Sequence, residues 1–83
     1  MNSRKLLIKL LSGKLQNVRF GDFQELLGDF GFSLSRISGS HHIYTHAGIN
    51  DIINIQNVKG QAKPYQIRQA LKLIEIHNLQ LED

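Results

Sequence analysis

Two histidines stand side by side in the stretch SGSHHIY, residues 38–44, directly after a flexible Gly39-Ser40 pair. An imidazole in reach of solvent takes and gives protons near neutral pH, so it can serve as general base or general acid. His46 and His77 complete the set, and the chain has no cysteine. Thiolate nucleophiles, thiolate metal sites and a disulfide framework are therefore excluded. A metal site on His41, His42 and His46 is a poor fit. Strand neighbours point opposite ways, which leaves two ligands on one face and no carboxylate nearby in sequence. His77 falls at a helix end, where a cation complements the helix dipole.

The charges hint at a second ingredient. Ten Lys and Arg stand against seven Asp and Glu, for a net charge of +3. Residues 1–21 carry Arg4, Lys5, Lys9, Lys14 and Arg19 and no acid. Asp22, Glu25 and Asp29 then cluster, and Lys59, Lys63, Arg68 and Lys72 follow with no acid among them. Such local excess suits a polyanion, although a solvated basic surface has the same look.

These residues must be held by one small domain. The chain has 83 residues, of which 41% are hydrophobic, enough for a modest core. No apolar run approaches the ~20 residues of a membrane helix, and the basic, leucine-bearing start lacks the apolar run and cleavage site of a signal peptide. With the absence of cysteine, this fits a cytoplasmic protein with no membrane partner.

Leu6, Leu7, Leu10 and Leu11 form the stripe of a short helix that Ser12-Gly13 ends. Phe20, Phe23, Leu26, Leu27 and Phe30 mark a second, with Asp22 and Glu25 placed for a capping box and Gly31 as its stop. From Phe32 the period changes to alternation. FSLSRIS, HHIYTH and IINIQ read as three strands, and their short links make them antiparallel. NVKGQAK reads as a basic loop. Pro64 opens a last helix with Ile67, Ala70, Leu71 and Ile74 inward, and Leu79 and Leu81 fold the tail back. The expected fold is α+β, a three-stranded antiparallel sheet with helices on one face in the order α-α-β-β-β-α. That is also the layout of double-stranded-RNA-binding domains.

Alternation along HHIYTH puts His41, Ile43 and Thr45 on one face and His42, Tyr44 and His46 on the other. If Ile43 turns toward the helices, His41 is a core histidine bonded to backbone and His42 points outward beside the turn. Tyr44 then either stacks on a base or serves as a plain cross-strand aromatic. RNA cleavage would use such an arrangement. A base draws the proton from a 2′-hydroxyl as it attacks the adjacent phosphate, an acid protonates the departing 5′-oxygen, and cations steady the phosphate. The scheme assigns proton transfer to His42 and charge to Lys59, Lys63, Arg68 or Lys72. It calls for no metal and no cofactor.

At this point the residues themselves look familiar. SGSHHIYTH, followed by INIQNVKGQAKPYQIRQALKLIE, resembles the HicA family of toxins from bacterial toxin–antitoxin pairs. The likeness extends over nearly the whole chain, and the Gly-Ser-x-His signature before a strand is its specific part. The Lys-Pro start of the last helix, with IRQALK, supports the likeness, and the leading helix makes the chain look like a longer variant, with residues 1–12 as an extra N-terminal helix and 20–77 as the core. The resemblance implies a ribosome-independent endoribonuclease, an mRNA interferase, paired with a HicB-type antitoxin that covers the active face. The signature maps onto Gly39, Ser40, His41 and His42, so the catalytic position falls on His42, with Ser40 among the RNA-binding residues. One departure stands out. Many members carry a Pro and a second His at the end of the third strand, where this chain has Gln56 and Asn57.

Two other readings share these residues. A non-catalytic RNA-binding module would bind RNA in a salt-dependent way without cutting it. A purely protein-binding domain would use the open sheet face or its edge.

Overall fold

The computed structural model describes residues 2–82. Helix α1 spans Ser3–Leu11, and the Asn2 side chain caps it by accepting from the Lys5 amide at 3.2 Å. Leu6 and Leu10 face the core, and the Ser3 hydroxyl donates to the Asp29 carboxylate, which ties α1 to the end of the next helix.

Helix α2 spans Phe20–Asp29. It begins two residues before the expected cap. The Phe20 amide donates to the Gly60 carbonyl at 2.9 Å, so a backbone group from the sheet does the capping and Arg19 sits at the cap position without a side-chain bond. Asp22 lies inside the first turn instead, where its charge complements the dipole. Gly31 closes the helix at φ +92°, with the Phe32 amide bonded to Leu27 O and the Gly31 amide to Gly28 O, a Schellman motif. A Cβ at Gly31 would come within 3.0 Å of both the Glu82 carboxylate and the His46 ring, so glycine is required twice over.

The sheet has four strands rather than three. β1 (Ser33–Ser38), β2 (His41–Thr45), β3 (Ile53–Val58) and β4 (Gln61–Ala62) pair antiparallel in chain order. The stretch expected as a basic loop is a tight hairpin. Lys59 and Gly60 both take positive φ, 53° and 82°, and the Asn57 side chain accepts from the Gly60 amide at 2.8 Å. Lys-Gly is a poor turn signal because a lysine rarely adopts that conformation; the Asn57 bond and the pairing of Asn57 with Ala62 hold it there. The connector before α2 joins the same edge through the Arg19–Gln61 bridge and the Ala62 amide on Val18 O.

Helix α3 spans Pro64–Ile76, with Pro64 in its first turn and Ile67, Ala70 and Ile74 buried. Asn78, at φ 52°, turns the tail back, and Leu79 and Leu81 pack against the core. Phe23, Leu26 and Leu27 from α2, Ile55 from β3 and Ile67 from α3 are sealed at its centre.

Candidate active site

The register of the sheet decides which histidine meets the helices. His42 pairs with Ile55 and Tyr44 with Ile53, and both isoleucines belong to the main core. Residues opposite each other share a face, so His42, Tyr44 and His46 lie on the helix side. This reverses the expected assignment. His41, Ile43 and Asn54 occupy the other face, where the His41 Nδ1 meets the Asn54 amide oxygen at 3.0 Å. The reason is that Ile43 and Tyr44, neighbours on opposite faces of β2, are both buried, so the burial of Ile43 says nothing about which face meets the helices. Tyr44 was open to a base-stacking role in the sequence; the structure makes it a core residue.

His42 is nonetheless not sealed. It lies at the start of β2, beside the Gly39-Ser40 turn, and is half-buried. Its ring stands edge-on to Phe20 at 4.8 Å between centroids. Its Nδ1 lies 3.2 Å from the Ser40 carbonyl oxygen. A carbonyl only accepts, so Nδ1 carries the hydrogen and Nε2 of the neutral ring holds the free lone pair. Phe20 and the Ser40 carbonyl thus fix the tautomer and the tilt of the ring.

The hairpin and the connector that meet at Phe20 both carry basic residues. Phe20 hangs on Gly60, next to Lys59, and Arg19 precedes it. Ser40 is exposed, and its carbonyl also accepts from the Asn57 amide at 3.3 Å. Lys63 donates to Gln56 Oε1 at 3.2 Å and lies 5.5 Å over the Tyr65 ring. Arg68 and Lys72 are not brought to His42; they border a groove formed by α1, α3 and the tail. That groove touches Phe30, at the far end of α2 from Phe20. Ten residues at 1.5 Å rise separate Phe20 from Phe30 by about 15 Å.

The other histidines have separate duties. His46 accepts from the Gly48 amide at 3.0 Å and packs edge-on to Phe32. Four residues along a strand place it about 13 Å from His42. His77 makes a long contact to Asp51 at 3.4 Å. Sequence reasoning missed Gln66, which is buried in α3. Its side chain accepts from the Gln56 amide at 2.7 Å and donates to the Gln56 side chain at 3.0 Å, fastening the end of β3 to the start of α3. A buried glutamine in a helix stripe has no spacing signature; only its partners reveal it.

Tyr44 accepts from the Gln24 side chain at 2.9 Å. Burial raises its pKa above the ordinary 10.0, partly offset by that bond. The folded state therefore holds this proton more tightly than the unfolded chain. Its contribution is fully present below pH 10 and is lost as pH climbs through the higher folded value. Melting temperatures measured across that range should fall more steeply for the parent than for Tyr44→Phe, and parallel curves would contradict the burial of the phenol.

Among the described residues no helix is long and apolar enough to cross a membrane. No curated protein and no solved structure significantly matches the chain. The sequence model described as "HicA toxin of bacterial toxin-antitoxin" matches residues 20–76, well over half of the chain and every element from α2 to α3. The chain therefore belongs to the HicA family, toxins of bacterial toxin–antitoxin systems, with an antitoxin as the implied partner.

Proposed function

We propose that the chain is an endoribonuclease acting on mRNA, with His42 as the proton-transfer residue, held in check by a HicB-type antitoxin. The observation that carries this reading is the held, half-exposed imidazole with Nε2 unprotonated in its neutral form. In the proposed step the 2′-hydroxyl proton passes to His42 Nε2. The 2′-oxygen attacks phosphorus, the bond from phosphorus to the 5′-oxygen breaks, and the leaving oxygen takes up a proton from water. The products are a 2′,3′-cyclic phosphate and a 5′-hydroxyl. Lys59 and Lys63, together with Arg19 of the connector, are assigned to phosphate charge, and Ser40 to contact with the RNA backbone at the turn. Arg68 and Lys72 are left out, because they face the other groove. Gln56 is held by Gln66 and Lys63, so the place where other members carry a second histidine supplies no proton here.

Helices against one face of an antiparallel sheet support the comparison with double-stranded-RNA-binding domains, and the site on the helix side keeps RNA within reach of α2 and the turn. The test is incubation of RNA with purified protein in chelator, with the product ends identified. Cyclic phosphate ends are expected, and a substrate with 2′-deoxyribose at the cut position should survive. Cleavage of the deoxy substrate would refute the scheme, and binding without products would favour the non-catalytic module.

A further inference from the structure

Away from His42, a groove of about 670 Å³ is formed by α1, α3 and the tail. Its floor is hydrocarbon from Leu7 and Leu11 of α1, Leu71 of α3, and Leu79 and Leu81 of the tail. Leu11 is 69% exposed, and the other four are only partly covered. Aliphatic surface gathered in a concave place and left open to water marks a site of contact. The groove is lined by the cations Arg68 and Lys72 of α3 against one carboxylate, Glu75. The walls supplied by α1 and by the tail lie outside residues 20–76, so this groove is an addition to the part of the chain that the family shares.

We propose that the groove docks an acidic amphipathic helix of a partner protein. Such a helix lays leucine-type side chains at i, i+3 or i+4, and i+7 into the floor and sets carboxylates along its flanks against the rim. Charge and apolarity together select this occupant. Nucleic acid would satisfy the cations and leave the leucines wet. The α1 of a second copy would bring Arg4, Lys5 and Lys9, with no acid, onto a rim where Arg68 and Lys72 already outnumber Glu75. The groove shares no lining residue with the surroundings of His42, and the proposal does not rest on the nuclease reading.

The test uses the full chain and two labelled synthetic helical peptides with the same leucine spacing, one flanked by glutamates and its twin by lysines, titrated by fluorescence anisotropy. The acidic peptide is expected to bind at least about tenfold more tightly. R68E/K72E should erase that preference. L11D, at a position folding does not bury, should weaken the acidic peptide by about tenfold or more, with circular dichroism showing both variants folded. Equal binding of the twins, or full binding to L11D, overturns the proposal. So does a dimer of the chain in sedimentation that L11D dissolves, which would give the groove to a second copy. So does displacement of the peptide by an RNA duplex whose affinity R68E/K72E abolishes and L11D leaves intact.

Discussion

Replacing His42 with alanine is expected to slow RNA cleavage by about 10²–10⁴-fold while leaving the chain folded. The size follows from the role. A positioned proton-transfer group contributes about that much, and among the described residues its neighbours on the sheet cannot take its place: His46 lies just past the far end of β2, Gln56 titrates at no accessible pH, and His41 lies on the opposite face. Folding should survive because the ring is half-buried near the end of a strand and meets the core at the edge of Phe20. His46→Ala is the matched control. It removes an imidazole just beyond the same strand and outside the site, so its cleavage rate should stay near that of the parent. Parallel rates, melting curves and growth after induction for the two variants would separate chemistry from stability. If His42→Ala cuts RNA as fast as His46→Ala, the assignment of proton transfer to His42 is wrong.

How the site came to be legible is itself physical. The Gly-Ser turn and the run of alternation after it located His42 at the start of a strand, and the structure keeps it there. The helix stripes were legible because each pairs apolar periodicity with a stop that needs little tertiary help, Gly13 after α1 and Gly31 after α2. The facing of β2 was not legible. Ile43 and Tyr44 both want burial, and only the pairing of His42 and Tyr44 with Ile55 and Ile53 tells which side the helices take. β4 escaped notice for a related reason: two residues are too short to alternate, and they form a strand only because Asn57, Val58 and the connector at Arg19 give them partners. The same long-range bond, Phe20 on Gly60, moved the start of α2 ahead of Asp22. Local signals thus set the elements, while contacts between distant segments set faces and edges. Arg68 and Lys72 show the limit most clearly. In sequence they continue the basic run of Lys59 and Lys63; on α3 they turn to the groove beside α1.

Phe23→Ala is expected to cost about 3–5 kcal/mol, the largest stability loss of any substitution considered. Phe23 is fully enclosed in the middle of α2, so truncation removes a large apolar side chain and leaves a cavity that its neighbours Leu26 and Leu27, themselves sealed, cannot readily fill. A domain of this length has only about 4–12 kcal/mol in total, so the variant should sit near its unfolding transition at ordinary temperature. Urea titration should show a much lower midpoint with an unchanged slope. The consequence for the site is indirect but definite. α2 carries Phe20 against the His42 ring and Gln24 onto the Tyr44 hydroxyl, so the imidazole keeps its setting only while α2 is seated. Cleavage by Phe23→Ala should therefore track the folded fraction. Trimethylamine N-oxide, which favours burial, should restore it. The same additive should do nothing for His42→Ala, whose fold is intact and whose base is gone. Recovery of both variants, or of neither, would mean that the two residues do not divide the work between packing and proton transfer in this way.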